Sequence, residues 1–540
     1  MEQRNSNTEP DSPVISRWNS VRVRQTIDRA AIALDTHPWS LIFVLFLVYV
    51  HIVIHERVSP LWYDELYTYY IAQAPTFRTM IVWTQHIDLN PPLYYAAARL
   101  SMHILRPGPF AVRLPSIIAY LVAALCAYRF VRRQLTPLYG AIAALVLLGS
   151  SYSYYSYDAR PYALVLGFLG IAALGWQGAT QEAGSKRALS LILVVIGGFG
   201  MLLSHVLAVL AFGSLFFAEL VRLAIRRETD WPLWISLFLP LSSCFLYLPL
   251  IQHHSGGVFT PVFQASIEAL FNNYSTLWID LAPFLAAAML LIAWVGIKPQ
   301  PGEHKNSNLA WPEIAFSIVL ILVPLIVILR FMRSHSMYNS RYGMPAIFGI
   351  AILVPYFIAW WTNKSRRAAL IAVAVFILSV LHPSSLARIL QAHLQPRSGD
   401  LSTRREIQTP LTRIQPDLPF VVADGLTFLE MDHRENKSFL SRVYYLVDPQ
   451  AALEYAHSNV FNGLQALHNQ FPIRAHVVSY DDFIKEHPKF IVFGSCDYPD
   501  DWLIQKLLAD GTVVRFLGVV PSSYGDTRVY QVTIDPYSTQ

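Results

Sequence analysis

The residues best suited to chemistry are a few carboxylates and arginines lying beside long apolar runs. Asp64 and Glu65 sit in Leu61-Trp-Tyr-Asp-Glu-Leu-Tyr, flanked by Trp62, Tyr63 and Tyr67. Asp158 and Arg160 sit in Tyr152-Ser-Tyr-Tyr-Ser-Tyr-Asp-Ala-Arg-Pro-Tyr, and Arg341 and Tyr342 follow Arg330 and Arg333. A carboxylate near the hydrocarbon boundary is costly unless paired or hydrated, so such residues are functional by default. A positioned Asp can take the proton of an attacking hydroxyl. The planar fork of Arg can neutralise a departing phosphate through two oxygens at once. Tyr and Trp offer faces on which a sugar stacks. The set suits glycosyl transfer with loss of a phosphate. Plainer roles stand beside it: Asp64 and Glu65 as the acidic start of an interfacial helix, Asp158 with Arg160 as a capping ion pair, and Arg341 as a headgroup anchor.

These residues need elements that hold them at one membrane face. The chain has 540 residues, is 54% hydrophobic and carries only 14% charged residues, against about 25% in soluble domains. Apolar windows fall at roughly 39–55, 114–131, 137–155, 161–178, 188–204, 206–222, 233–251, 277–296, 311–330, 343–361 and 368–384. That predicts about eleven spans of a bilayer near 30 Å thick. If each crosses, Arg129, Arg132 and Arg133, then Lys186 and Arg187, Arg222, Arg226 and Arg227, Lys298 and Lys305, and Lys364, Arg366 and Arg367 share the side of the basic N-terminus. The positive-inside rule puts that side in the cytoplasm and the C-terminus outside. Residues 1–38 read as a cytoplasmic tail rather than a signal peptide, and residues 39–385 as the membrane domain.

The outer face then receives two long loops and the tail. The loop 56–113 contains Leu89-Asn-Pro-Pro-Leu-Tyr-Tyr, and its stretch 65–85 has the aromatic, amphipathic character of interfacial helices. The second loop opens with Gln252-His-His; His205, His253 and His254 read as solvated or interfacial rather than as metal ligands. Residues 386–540 alternate β-rich runs (Phe420 to Asp424, Arg442 to Asp448, Phe490 to Gly494, Val513 to Gly518, Val529 to Val532) with helical stretches, which predicts an extracytoplasmic α/β domain. Asp424, Asp448 and Gly494 end strands there, where turn residues are common. Cys126, Cys244 and Cys496 form no zinc or disulfide framework. Nothing in the chain suggests a nucleic-acid partner.

Five segments in this order resemble the motifs of bacterial members of the protein O-mannosyltransferase and aminoarabinose-transferase superfamily. They are Asp64-Glu, Asn90-Pro-Pro-Leu-Tyr-Tyr, Val112-Arg-Leu-Pro-Ser, Asp158-Ala-Arg-Pro-Tyr-Ala-Leu and Ser340-Arg-Tyr-Gly-Met-Pro. The resemblance spans roughly residues 40–385. It implies a GT-C fold that takes a sugar from a polyprenyl phosphate at the outer face of the plasma (inner) membrane, with inversion at the anomeric carbon. Asp64 would be the base and Asp158 a second acidic residue. Glu65, Asn90, Tyr94, Arg113, Arg160, Tyr162, Arg341 and Tyr342 would bind substrate. Two positions depart from the pattern: Asn90 stands where the family commonly has His, and Asp158 where it commonly has Glu. A divalent metal ion as cofactor stays open, as does the acceptor, whether lipid, glycan or protein. Two other classes fit the topology, a polysaccharide ligase or polymerase with a lipid-pyrophosphate donor and a transporter or flippase. The latter expects midplane sites and repeats, which are not apparent.

Overall fold

The computed structural model describes residues 14–54, 56–84, 88, 90–247, 265–295, 310–334, 338–381, 415–457, 471–494, 502–522 and 525–534. His253, His254, Lys298, Lys305 and Cys496 lie outside that set. The membrane domain is helical throughout. It runs through α1 (Val14–Thr36), α2 (Pro38–Val53), α3 (Tyr63–Ala72), α4 (Phe77–Trp83), α5 (Leu93–Leu105), α6 (Pro109–Gln134), α7 (Pro137–Leu148) and α8 (Tyr162–Gln181). It continues with α9 (Gly184–Leu202), α10 (Ala208–Arg226), α11 (Trp231–Phe238), α12 (Ile267–Ile279), α13 (Ala282–Trp294), α14 (Trp311–Ser334), α15 (Pro345–Trp361) and α16 (Arg366–Leu381). Over the described residues, each predicted span overlaps at least one of these helices. Among the described residues, five helices are long and apolar enough to cross a membrane, and seven if each of two bent pairs is one span.

Three features differ from the sequence expectation. The N-terminal tail, read without any element of its own, holds α1, which meets α2 at 91° with the break just before Pro38. The span expected at 277–296 starts ten residues earlier, because α12 and α13 form one path bent by 42°. The segment 56–113, expected as one loop, holds α5 as well as α3 and α4, and α6 begins at Pro109, where proline suits the first helical turn.

Small residues set the helix spacing around α8. A Cβ on Gly175 would lie 2.7 Å from the Ser190 carbonyl oxygen of α9, and one on Gly197 would lie 2.6 Å from the Ala172 nitrogen. A Cβ on Gly167 would meet the Ala119 carbonyl of α6 at 2.7 Å. Without glycine the backbones could not approach this closely, which is how membrane helices gain packing contacts. Because α8 follows directly on Asp158 and Arg160, this packing fixes where those residues emerge.

The basic stretches gather at the opposite end of α6 and α8. Arg133 pairs with Glu182, Arg187 and Arg222 with Asp230, Arg366 with Asp35 and Arg367 with Asp28.

The C-terminal domain is a six-stranded sheet in the order β3-β2-β1-β4-β6-β5. The strands are β1 (Phe420–Val422), β2 (Val443–Val447), β3 (His476–Ser479), β4 (Lys489–Gly494), β5 (Val513–Ser522) and β6 (Gly525–Thr533). The first four pair in parallel, and β6 adds antiparallel to β4 with β5 at the edge. Strand β3 has no counterpart in the sequence reading. β1 is buried on both faces, as parallel strands require. Side chains alternate: Phe420, Val422, Ile491 and Phe493 face one apolar layer, while Val421, Phe490 and Val492 face the other. The first layer includes α17 (Gly425–Arg434) and also Leu61, Tyr63, Leu66 and Tyr70 in and just before α3. The sheet domain is therefore packed onto α3. Asp424 and Asp448 cap the helices that follow their strands, accepting from Thr427 N–H and from Gln450 and Ala451 N–H, the turn role.

Candidate active site

Helix α3 begins with Asp64 and Glu65, and the two carboxylates point to different partners. Glu65 is fully buried. Arg113 of α6 grips it with Nε at 2.7 Å from Oε1 and Nη2 at 2.5 Å from Oε2. The Ala159 N–H donates to Glu65 Oε1 at 2.8 Å, and the Trp62 N–H donates to Oε2 at 3.3 Å. Four donors occupy this carboxylate, and Arg113 also donates to the Ser59 and Pro60 carbonyls. The pair ties α3, α6 and the 158–160 segment into one unit.

Asp64 faces two arginines instead. Its Oδ2 accepts a hydrogen bond from Arg341 Nη1 and lies 4.0 Å from Arg160 Nε. Burial pushes its carboxyl upward, but Arg341 and Arg160 outweigh that and hold it below the usual carboxylate range. Arg160 is itself clamped by Asp88, with Nη1 at 2.5 Å from Oδ2 and Nη2 at 2.9 Å from Oδ1. Its Nη1 also reaches the Asp64 carbonyl at 3.3 Å. Burial opposes the charge on Arg160, and Asp88 and Asp64 restore it. Tyr95 donates to Asp88 and Asn90 Nδ2 donates to it at 3.3 Å. The Asn90 side chain thus supports Asp88.

Asp158 lies beside this cluster, 3% exposed. Its Oδ1 accepts from Trp62 Nε1 at 3.0 Å, and its Oδ2 is buried without a hydrogen-bond partner. Burial first, then the neighbouring Glu65 charge, push its carboxyl up to about 7. Arg160 Nε and Arg341 Nε are likewise buried without a partner. Unsatisfied buried polar atoms are rare enough to need a reason.

A small cavity of about 20 Å³ lies beside Arg341, lined by Tyr162, Val165, Leu166, His205, Leu207, Ala208, Tyr342, Met344 and Pro345. Most of that lining is apolar. The Arg341 guanidinium lies 5.4 Å from the centroid of the Tyr162 ring. His205, expected at the solvent or interface, is buried between Tyr162 and Tyr342, with ring centroids at 5.3 and 5.9 Å. Its Nδ1 accepts from the Leu207 N–H at 3.1 Å, which leaves the proton of a neutral ring on Nε2. Burial, then Arg341 and Arg160, lower its pKa to about 3.

Helices α3, α8, α10 and α15 and the turns beside them thus bring two arginines, two carboxylates and a mostly apolar cavity to one place. Residues 89–247 match the family described as dolichyl-phosphate-mannose-protein mannosyltransferase. The whole chain also overlays two crystal structures of ArnT from Cupriavidus metallidurans, one in the apo state and one bound to undecaprenyl phosphate. The TM-scores are 0.51 and 0.50 at 13% and 12% identity. The alignments cover 92% and 91% of this chain and 98% and 97% of those chains. The chain has the fold of ArnT, the GT-C fold. No curated protein sequence matches it.

Within this GT-C protein, the expected residues divide by surroundings. Asp64, Asp158, Arg160, Tyr162, Arg341 and Tyr342 meet at the cavity or at the charged cluster beside it. Glu65, Arg113 and Tyr94 are buried behind them; the Tyr94 hydroxyl lies 2.8 Å from Ser116 Oγ and donates to the Val112 carbonyl. Asp88 was missed, although it stands two residues before Asn90 in the same outer loop. No group of three His, Cys, Asp or Glu arranged to hold a metal ion occurs among the described residues.

Proposed function

We propose that this chain is a glycosyltransferase of the protein O-mannosyltransferase and ArnT superfamily that takes its sugar from a polyprenyl monophosphate, with the reaction on the outer face of the inner membrane, the N-terminus cytoplasmic and the sheet domain outside. The observation that carries this reading is the arrangement of Arg160 and Arg341 around Asp64, each with a buried Nε–H that makes no hydrogen bond, and with Arg341 lining the mostly apolar cavity. Arginines with unused donors suit a phosphate, and the apolar lining suits the first isoprene units attached to it. ArnT, of the same fold, has been crystallised with undecaprenyl phosphate. His205, with its proton on Nε2, is placed to donate to the same phosphate.

In this mechanism the acceptor hydroxyl attacks the anomeric carbon from the face opposite the phosphate, which inverts that centre. The carbon–oxygen bond to phosphate breaks, polyprenyl phosphate leaves to the arginines, and the proton passes to Asp64. Asp64 is a weak base while Arg341 and Arg160 neutralise it. A donor phosphate competes for the same guanidinium groups, so donor binding raises the basicity of Asp64 at the moment it is needed. Glu65, Arg113, Asn90 and Tyr94 act as braces behind the substrate contacts.

The test uses the purified full-length chain in lipid nanodiscs with a panel of undecaprenyl-phosphate monosaccharides. Release of undecaprenyl phosphate in the presence of envelope lipids, glycans or proteins is expected for at least one member. Turnover confined to pyrophosphate-linked donors would overturn the monophosphate reading in favour of a ligase. Mass spectrometry of envelope lipids and glycoproteins from a deletion strain then names sugar and acceptor together.

A further inference from the structure

The sheet domain reaches the catalytic helix through two charged side chains. Glu430 of α17 accepts a hydrogen bond from the Tyr63 N–H at 3.1 Å. Arg434, one turn later, donates to the Leu61 carbonyl at 2.8 Å and pairs with Glu430 at 2.8 Å. Both side chains are only 9% exposed. The contacted backbone flanks Trp62, directly before Asp64. The first N–H groups of a helix lack partners within it. Glu65 serves that of Trp62, and Glu430 serves that of Tyr63. A carboxylate there also suits the helix dipole.

Aromatic packing closes the same joint. His433 lies edge-on to Tyr69 at 5.1 Å, and Phe471 contacts Tyr67, Tyr70 and Trp83 at 6.1, 5.0 and 5.6 Å. Burying a carboxylate and an arginine against another domain carries a desolvation cost, which simple docking of apolar faces would avoid. Their targets are backbone groups, so the contact fixes where α3 starts rather than which side chains it bears.

We infer that α17 is a positioning element for Asp64, with Glu430 and Arg434 setting the pose of α3, so that the sheet domain is part of the catalytic unit. This rests on the assignment of Asp64 as base. A misplacement of about 1 Å can cost roughly 100-fold in rate.

Full-length Glu430→Ala and Glu430→Gln proteins, matched for monodisperse material in nanodiscs, test the inference. Glu430→Ala is expected to speed hydrogen exchange at residues 61–67 by about tenfold or more while leaving β1 and β4 unchanged. Its affinity for undecaprenyl phosphate should stay within about twofold, while kcat falls roughly 10- to 100-fold with the undecaprenyl-phosphate sugar the wild type uses. Glu430→Gln, which keeps an acceptor for the Tyr63 N–H, should recover most of both effects. A merely structural role predicts instead lower yield with normal kcat per folded molecule. Faster exchange with unchanged kcat, or a kcat loss without faster exchange at 61–67, would overturn the inference. If the wild type neither binds undecaprenyl phosphate nor turns over any donor, the proposed function fails, and the exchange data still decide whether α17 holds α3.

Discussion

Both ends of the helix bundle bury acidic side chains, but they finish the task differently. At the end carrying the basic stretches, Glu313 accepts from Gln134 at 2.7 Å, from Gln177 at 2.9 Å and from the Tyr356 hydroxyl. Glu219 accepts from Trp176 at 3.2 Å and twice from Arg222 at 2.8 and 2.6 Å. Each of these carboxyl groups has donors on both oxygens. At the other end Asp158 Oδ2, Arg160 Nε and Arg341 Nε have none. A satisfied buried network stabilises and specifies packing, whereas an incomplete one is costly and persists where it serves something else. Neutral groups at the first end also lack partners (Tyr128 Oη, Thr136 Oγ1 and Gln177 Oε1), so the contrast is confined to the buried charged groups named here, of which only those at the proposed substrate site keep unused hydrogen-bonding capacity.

The strongest way to break that comparison is to remove its two central charges separately. Asp64→Asn keeps size and polarity but removes the proton acceptor, and loss of general-base catalysis costs about 10²- to 10⁴-fold in rate. Undecaprenyl phosphate binding should be retained or tightened, since Arg341 is no longer neutralised from within the protein. Arg341→Ala should weaken that binding by about 1.5–3 kcal/mol, the size of a hydrogen bond to a charged group, or roughly 10- to 150-fold in Kd. Titration of the lipid and turnover of the donor, on matched folded protein, separate the two. Wild-type turnover by Asp64→Asn would move the base assignment to Asp158.

How much of this site was legible in sequence follows from the range of its contacts. Asp64, Asp158, Arg160 and Arg341 could be found because each follows an apolar run and hydropathy fixes its depth. Their convergence follows from topology alone. The partner of Arg160 could not be found this way: Asp88 lies 72 residues away, in the interior of a loop with no periodic pattern. An acidic residue beside the Pro-Pro turn was the available signal. Glu65 shows the opposite failure. It looked equivalent to Asp64, but adjacent residues on a helix point about 100° apart, and one faces Arg113 while the other faces the cavity edge. The sheet domain was legible where its strands lie in apolar runs, as three-residue β1 does in Phe420 to Ala423. β3 (His-Val-Val-Ser) offers just two apolar residues between polar ones, and the α17 contact with α3 joins residues more than 360 apart.

The satisfied end gives a smaller effect of a different kind. Glu313→Ala strands the amide donors of Gln134 and Gln177 and the Tyr356 hydroxyl in a buried place. Leaving such groups unpaired costs about 1–3 kcal/mol. Thermal unfolding in detergent should therefore move to lower temperature, while turnover per folded molecule stays within about twofold of wild type. A specific loss of turnover at unchanged stability would erase the distinction between the two ends.

Asp158 provides the finest test, because its unpaired oxygen makes a prediction with a definite sign. Burial and the nearby Glu65 raise its carboxyl from the ordinary 3.8 to about 7 in the folded protein. Between those values the folded chain holds a proton that the unfolded chain releases. Its contribution to stability is therefore complete below about pH 4 and declines as pH rises toward 7. The slope cannot exceed about 1.4 kcal/mol per pH unit for one proton. Asp158→Asn keeps the acceptor for Trp62 Nε1–H and abolishes the titration, so the variant should lose less stability than wild type as pH is raised from 5 to 8. Thermal midpoints of both proteins across that range, in one detergent and at one ionic strength, measure the difference directly. Parallel curves would mean that Asp158 is already ionised at pH 5. Its Oδ2 would then need a cation or a donor close by, and the contrast between the two ends of the bundle would rest on the arginines alone.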